Sequence, residues 1–345
     1  MDLGNCSLHV AYLDRKEEIL PSLDGSKVDG LVCFGQSCRF DVGVFTELAR
    51  YIRFHKFDIV VCVEENPMLY VLLIKPLISS QIVVVLHNTK PLSFYHRLLR
   101  ILYRQSIRLC NKIVFVCRAQ MEYWMPGKVK PDEKYLIIYN GVNTDHFKDQ
   151  YSEYEKMHLR EMLGITRGDF VIGICAAMRK EKRHLDLIDA ACALRCRGIP
   201  AKVLAIGDGP MREAIEAHAV RKGFAPHLNI TGYVDNVRDY LAICSCTALA
   251  SSTEAFPISI LESMAMEKPV VASDEGGVRK LITHGETGFI YPSGDIELLS
   301  KYLSMIWEDK PDHLGSKARA YVLDNFSLDR MVARYSSLFN RPLSV

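Results

Sequence analysis

The chain contains 345 residues, of which 49% are hydrophobic and 24% are charged, and its formal net charge at pH 7 is +2. This length predicts two domains, and the near-balance of charge gives no support for a nucleic-acid partner. The eleven cysteines show no CxxC spacing, which argues against zinc and thioredoxin-type sites and favours reduced thiols in a cytosolic protein.

Twelve short apolar runs alternate along the chain with amphipathic helical segments. The runs are rich in β-branched residues and apolar at successive positions, which is typical of parallel strands covered by helices on both faces. The predicted strands are residues 9–13, 30–35, 58–64, 81–88, 112–117, 135–140, 170–176, 202–208, 228–233, 246–252, 269–273 and 287–291. Helices are predicted at 46–56, 95–110, 184–198, 210–224 and 258–268. This many strands suits two doubly wound α/β sheets better than one.

The pattern breaks at residues 140–156, where Asn, Gly, Asp and charged residues predict an interdomain linker. We therefore expect an N-terminal Rossmann-like domain at 1–150, a C-terminal ligand-binding domain at 151–325, and a last helix at 326–345 that can return to the first domain. The start of the chain lacks the apolar core of a signal peptide, and the most apolar stretch, 68–86, is interrupted by polar residues. These features predict a cytoplasmic protein, peripheral at most at the inner face of a membrane.

Residues 251–262 combine the features of a phosphate-binding turn. An apolar strand ends in small polar residues, Glu254 follows, and Pro257 precedes an amphipathic helix. Proline suits the first helical turn, so the free N–H groups there would face outward at the positive helix end and could bind a diphosphate. Glu254 and Glu262 could accept hydroxyl groups of a sugar nucleotide. The alternative is a helix-capping acid and a solvated helix glutamate.

Two further loops follow predicted strand ends. Residues 179–184, Arg-Lys-Glu-Lys-Arg-His, can form a cationic clamp for the same diphosphate, and the alternative is a solvated basic turn. The loop with Gly207 and Gly209 would permit close approach of a ligand to the backbone. Arg212 replaces the third glycine of a dinucleotide fingerprint, which argues against NAD.

Seven short motifs in the C-terminal half resemble, in the same order, those of the family 4 retaining glycosyltransferases, GT-B enzymes that use NDP-sugars. Their signature of two glutamates separated by seven residues matches Glu254 and Glu262. The other motifs are residues 139–143, 181–182, 207–210, 232–233, 269–277 and 285–289. The resemblance runs from about residue 110 to the C-terminus. It implies a GT-B fold, an α/β architecture of two facing Rossmann-like domains with parallel sheets and a cleft between them.

The resemblance also implies roles for individual residues. Glu254 would contact the donor sugar, and Arg179 and Lys182 would bind the phosphates and help the NDP group leave, so that neither a metal nor another cofactor is needed. Glu262 would hold the ribose hydroxyls, and the backbone amides at 255–258 would bind the diphosphate. The predicted nucleotide-binding residues are Glu262, Phe256, Pro257, Ile258, Gly207, Gly209, Gly232 and Tyr233.

The family pattern also bears on His87, on Arg179 and on the start of the chain. His87 matches the family's N-domain histidine close to the donor sugar, although a histidine at a strand end can also be structural. The family's arginine usually lies five residues before the lysine, where this chain has Ala177, so Arg179 is assigned on its reach. Members normally open with a strand, a glycine turn and a helix before the strand that matches 9–13. We therefore expect a chain truncated by about one βα unit, or a specialised copy.

One basic segment stands outside these motifs. From Asn66 to Gln120 there is no Asp or Glu but there are eight Lys and Arg residues, including arginines at 97, 100, 104 and 108 on one predicted helix. Such a helix suits an anionic membrane surface contacted by residues 90–112, at about 1 kcal/mol per well-placed charge. The alternative is a solvated basic face.

The predicted function is transfer of a sugar, with retention, from a UDP- or GDP-linked donor to a glycan or lipid-linked acceptor, in the biosynthesis of cell-envelope polysaccharide. Two alternatives stay open. One is another GT-B enzyme such as an NDP-sugar epimerase. The other is a non-catalytic copy that keeps nucleotide-sugar binding.

Overall fold

The computed structural model describes residues 6–13, 28–38, 41–87, 94–127, 130–309 and 312–340. The chain divides into two compact units: unit 1 comprises Met1–Ile138 and Val332–Val345, and unit 2 comprises Tyr139–Met331. The division therefore lies just before the predicted linker at 140–156. None of the described helices combines the length and hydropathy needed to cross a membrane.

Unit 1 is built on parallel strands. The strands are β1 (His9–Tyr12), β2 (Gly30–Cys33), β3 (Ile59–Val63), β4 (Gln81–Leu86), β5 (Lys112–Phe115) and β6 (Tyr135–Ile137). β1 pairs with β2, and β3 to β6 form a second sheet in chain order. The expected truncation of the chain by about one βα unit before β1 stays a prediction.

The helices that the structure describes between these strands are α1 (Val42–His55), α2 (Glu65–Ile74), α3 (Phe94–Ile107) and α4 (Arg118–Trp124). α1 begins at Asp41, whose side chain accepts the Gly43 N–H, and ends at Lys56 in the left-handed conformation. β4 is almost entirely buried, as expected for an apolar strand inside a parallel sheet.

Unit 2 contains one six-stranded parallel sheet. Its strands are β7 (Phe170–Cys175), β8 (Ala201–Ile206), β9 (Leu228–Ile230), β10 (Cys246–Leu249), β11 (Val270–Ser273) and β12 (Phe289–Tyr291). Its helices are α5 (Glu153–Met162), α6 (His184–Cys196), α7 (Arg212–Arg221), α8 (Val237–Ala242), α9 (Ile258–Ala265), α10 (Val278–Leu281), α11 (Ile296–Asp309), α12 (Asp312–Asn325) and α13 (Leu328–Asn340), the last of which ends in unit 1. The strand order is β12-β11-β10-β7-β8-β9.

Both faces of this sheet are covered. Successive residues of β7 alternate between two apolar cores: Ile172 and Ile174 join the cluster with Leu187 of α6, whereas Val171 joins the cluster with Leu241 of α8. This arrangement explains why the strands are apolar at successive positions. The predicted α/β class with parallel sheets is confirmed.

Candidate functional site

The order of the strands in unit 2 creates a topological switch point between β7 and β10. From β7 the chain continues to β8 and β9 on one side, and from β10 it continues to β11 and β12 on the other. The loops after β7 and β10 therefore diverge at the same edge of the sheet, which is where open α/β sheets bind ligands. The two loops are joined directly, because the Ser252 N–H donates to the Glu181 carbonyl at 2.8 Å.

Glu254 is held in the loop after β10 through one carboxylate oxygen. Lys182 Nζ donates to Glu254 Oε1 at 2.5 Å, and Ser251 Oγ donates to the same atom at 2.6 Å. The Glu254 side chain is 8% exposed. Among the residues that the structure describes, no donor is found for its Oε2. One oxygen thus fixes the carboxylate while the other is available to a ligand hydroxyl.

The backbone around Glu254 is fixed by its neighbours in the sheet. Ser273 Oγ donates to the Ser251 carbonyl at 2.6 Å, and Gly277 N–H donates to the Ala255 carbonyl at 2.7 Å. Gly276 lies so close that a Cβ atom there would be 2.1 Å from the Glu254 carbonyl oxygen, and its φ is +60°. A glycine is therefore required beside this loop.

The helix that follows, α9, presents its N-terminus next to Glu254. Pro257 is the residue before its first turn, and the N–H groups of Ile258 and Ser259 have no intrahelical acceptor. Phe256 is 3% exposed, and its ring stacks on Tyr139 with centroids 5.1 Å apart. Phe256 can therefore offer a ligand its backbone but not its ring.

Glu262 lies one turn further along α9. Burial raises its pKa to about 7, and no hydrogen-bond or ion-pair partner of its carboxylate is found within the described part of the chain. Cys175 lies at the end of β7, near this carboxylate. The pKa of its thiol is raised to about 12, mainly by burial and secondly by the negative charge of Glu262. A largely buried carboxylate without a partner at the switch point is suited to accept ligand hydroxyls.

The basic loop after β7 is less uniform than the sequence predicts. Lys182 is bound to Glu254, and Arg183, the residue before α6, is paired with Asp186 of that helix at 2.6 Å. Arg183 thus already has a counter-charge in Asp186, and its part in the predicted cationic clamp stays a prediction. Arg179 and Lys180 are exposed, and neither has an ion pair among the described residues.

The glycine loop after β8 supports the basic loop. Met178 N–H donates to the Asp208 carbonyl at 2.8 Å, and a Cβ on Gly209, whose φ is +155°, would lie 2.7 Å from the Met178 carbonyl oxygen. Gly207 forms an isolated bridge with Gly232. These glycines therefore allow the loops after β7, β8 and β9 to pack together. Tyr233, next to Gly232, is 85% exposed.

His87 belongs to unit 1, where it directly follows β4. Its side chain is exposed, and its backbone N–H donates to Glu64 Oε1 at 2.9 Å. The strand end that the sequence predicts for it is therefore present. Its contact with a donor sugar stays a prediction.

The predicted basic stripe on α3 is only partly a surface feature. Arg104 donates to the Tyr123 carbonyl and lies over the Tyr123 ring at 5.5 Å, so it faces the protein. The side chains of Arg97 and Arg100 lie outside the described residues. Arg108 is exposed, beside Ile101 and Leu109, whose exposed fractions are 68% and 60%.

Two site residues escaped the prediction from sequence. Ser251 binds Glu254 Oε1, and its position three residues before the glutamate could have indicated this contact. Asn140 Nδ2 donates to the Phe256 carbonyl at 3.1 Å, across 116 residues, and no local pattern indicates such a partner.

Most of the chain is similar to known glycosyltransferases. The family model for glycosyltransferase family 4 matches residues 7–146, and the model for glycosyl transferases group 1 matches residues 155–321. N-acetyl-alpha-D-glucosaminyl L-malate synthase of Bacillus anthracis is 26% identical over 213 residues, 61% of this chain and 55% of that protein. The lipopolysaccharide core biosynthesis mannosyltransferase LpsB of Rhizobium meliloti is 24% identical over 268 residues, 69% of this chain and 76% of that protein. The chain spans about half the length of several curated relatives that it matches.

Solved structures share the fold. The crystal structure of Anabaena HepE in complex with UDP superposes with a TM-score of 0.82 at 19% identity, covering 93% of this chain and 89% of that one. HepE has also been solved with UDP-glucose, with a TM-score of 0.81 at 20% identity, covering 92% and 88% of the two chains. Together with the parallel sheets of both units, this similarity confirms the GT-B fold. Since the two family models match in chain order on either side of the linker, the chain belongs to the family 4 glycosyltransferases.

Proposed function

We propose that the protein transfers a sugar from a UDP- or GDP-linked donor to a hydroxyl group of a glycan or lipid-linked acceptor. The observation that carries this proposal is the Glu254 carboxylate, which Lys182 and Ser251 hold through Oε1 while Oε2 stays available. Family membership and the UDP and UDP-glucose complexes of HepE support a nucleotide-sugar donor.

The donor would lie along the switch point. Glu254 Oε2 would accept a sugar hydroxyl, the N-terminus of α9 would face the diphosphate, and Glu262 would accept the ribose hydroxyls. Tyr233 is exposed beside Gly232 and can offer its ring to the base. All of these residues belong to unit 2 and lie at the edge of its sheet where the strands have their carboxyl ends.

The reaction would proceed with retention of configuration. The acceptor oxygen bonds to the anomeric carbon on the face from which the diphosphate leaves, and the acceptor proton passes to the departing phosphate oxygen. The protein's task is then to stabilise the phosphate charge that develops as the bond breaks. Arg179, Lys182 and the end of α9 supply fixed positive charge for this purpose, so the chemistry needs no metal.

The decisive experiment follows both products of the reaction. Release of UDP or GDP is measured with and without candidate acceptors, and the anomeric configuration of the product is determined by NMR. Acceptor-dependent release with retention supports the proposal, and an inverted product overturns the retaining part. Release without any acceptor favours an epimerase, and nucleotide binding without release favours a non-catalytic copy.

The acceptor side includes a proposed contact with an anionic membrane at the cytoplasmic face. Arg108 is exposed in the turn after α3. Exposed apolar side chains lie in that turn, on α3, at the end of α2 and in the turn after α2: Leu109, Ile101, Leu102, Leu73 and Leu77. Lys75 Nζ donates to the Leu109 carbonyl at 2.6 Å, which brings the two segments together. A basic surface with exposed apolar side chains suits the headgroup region of an anionic bilayer. The role of LpsB in lipopolysaccharide core biosynthesis is compatible with an envelope acceptor.

A further inference from the structure

A cavity of about 740 Å³ lies in unit 2 at the edge of the sheet opposite Glu254. Its lining includes Phe170, the first residue of β7, together with Ser245 and Pro269, which directly precede β10 and β11. These are the amino ends of parallel strands, whereas Glu254 and Lys182 follow carboxyl ends. The cavity is therefore separate from the candidate donor site, and its size is in the range of small-molecule pockets.

One wall of this cavity is aromatic and apolar. The rings of Phe170 and Trp307 lie with their centroids 5.5 Å apart, and Met266 and Ile306 extend the wall. Aromatic and apolar walls contact the ring of a ligand, while a few polar groups fix its orientation.

One polar group that lines the cavity is the largely shielded ammonium of Lys268. Burial lowers its pKa. Lys268 Nζ donates to the Ala242 carbonyl at 2.8 Å, and in the described part of the chain no second acceptor is found for its remaining protons. An ammonium group carries three donors, so Lys268 retains the capacity to bind an anion.

The other charges leave the cavity positive. Lys148 lines it and is exposed, and no acceptor for its ammonium is found among the described residues. Both carboxylates that line the cavity have a cation of their own: Asp149 lies 2.8 Å from Lys156, and Glu267 lies 3.7 Å from Arg319. The unmatched charges are therefore those of Lys268 and Lys148.

We propose that this cavity is a second small-molecule site, which binds a sugar phosphate with its phosphate on Lys268 and Lys148 and its ring against Trp307. The site is independent of the donor site and of the transfer reaction. A phosphorylated sugar would then be a second ligand of unit 2, in addition to the nucleotide-sugar donor.

Isothermal titration calorimetry with glucose 1-phosphate, together with tryptophan fluorescence, tests the proposal. The chain has two tryptophans, and Trp124 belongs to unit 1, so a change in emission on saturation is expected from Trp307. Lys268→Met and Lys148→Ala should each weaken binding, by about tenfold for the buried lysine. Lys301→Met, an exposed lysine of α11 outside the cavity, should not.

Three outcomes would overturn the site. The first is the absence of saturable binding to the wild-type protein. The second is binding that Arg179→Ala abolishes and Lys268→Met leaves intact, because the anion would then occupy the donor site. The third is equal affinity for inorganic phosphate, because the ring would then contribute nothing. Lys148→Ala removes an exposed side chain for which no acceptor is found within the described ranges, so its effect is measurable even if Lys268→Met disturbs folding.

Discussion

At the scale of single residues, the Lys182–Glu254 pair links stability to donor binding. Both side chains are mostly shielded from water, with exposed fractions of 23% and 8%. Lys182→Met leaves Glu254 without its counter-charge, and we expect a loss of about 2 kcal/mol in the free energy of unfolding. The double variant Lys182→Met/Glu254→Gln should lose less free energy of unfolding than the two single variants lose together. Urea denaturation of wild type, Lys182→Met, Glu254→Gln and the double variant measures this coupling.

Arg279→Met is the matched control for this cycle. It breaks a salt bridge between Arg279 and Asp274, but the arginine is 76% exposed. Exposed pairs contribute little because water screens them, so its unfolding free energy should change by less than about 0.5 kcal/mol. If Lys182→Met costs no more than this control, the pair does not hold Glu254 in place.

Glu262 gives the site a pH dependence of stability. Burial raises its folded pKa to about 7, above an ordinary value of 4.5. The folded state therefore favours the protonated carboxyl, and the stability is fully present below pH 4.5 and declines as the pH rises through 7. Glu262→Gln removes this decline. We expect it to be more stable than wild type at pH 8, by at most about 3 kcal/mol, and equal at pH 4.5, as measured by urea denaturation at both pH values.

One control variant accompanies the comparison of Glu262→Gln with wild type. The stability of Glu213→Gln, a substitution at an exposed position of α7, should follow that of wild type at both pH values. Equal stability of Glu262→Gln and wild type at pH 8 would mean that the carboxylate has a partner that compensates its burial. It would then be poorly suited to bind a ribose.

At the scale of elements, the loop that carries Glu254 depends on a glycine in the next loop. A Cβ at Gly276 would lie 2.1 Å from the Glu254 carbonyl oxygen, whereas at Gly285 nothing lies within 4 Å; both residues have positive φ, +60° and +80°. Gly276→Ala should thus move the Glu254 loop and lower kcat/KM by more than about tenfold. Gly285→Ala should only lose stability, by about 1 kcal/mol. Similar kcat/KM for the two variants would show that the position of this loop does not matter.

The surface of α3 carries the prediction of membrane binding. Arg108→Glu combined with Ile101→Ser reverses a charge and removes an exposed apolar side chain, and should weaken cosedimentation with anionic vesicles at least about fivefold. Arg197→Glu, an exposed reversal in unit 2, is the charge-matched control and should not. Arg104 is unsuitable for this test because it lies over Tyr123. If the control weakens binding as much as the double variant, net charge rather than this surface attracts the protein.

At the scale of the whole molecule, local sequence patterns predicted where the strands lie along the chain but not which strands are adjacent in the sheet. Every predicted strand is present, because buried parallel strands are continuous apolar runs. Several predictions extend too far, as at 228–233 against Leu228–Ile230, since the loop residues after a strand are also small or apolar. The contact of Lys182 with Glu254 spans 72 residues and requires β7 to lie beside β10. The resemblance to a family indicated both residues, but no spacing in the sequence indicated that they pair.

We expect unit 2 to bind the nucleotide and His87 of unit 1 to contribute to transfer. The proposed nucleotide contacts all belong to unit 2, whereas His87 belongs to unit 1. A ligand at one hundred times its dissociation constant adds about 2.7 kcal/mol of stability, so UDP should raise the melting temperature of wild type and of His87→Ala equally. Transfer should fall about tenfold or more in His87→Ala, because the residue would act on the sugar alone. Conversely, Glu262→Gln should lower the stabilisation by UDP.

If His87→Ala abolishes the rise in melting temperature caused by UDP, the histidine contributes to nucleotide binding or to the fold of unit 1. If transfer is unchanged, the histidine is structural at the end of its strand.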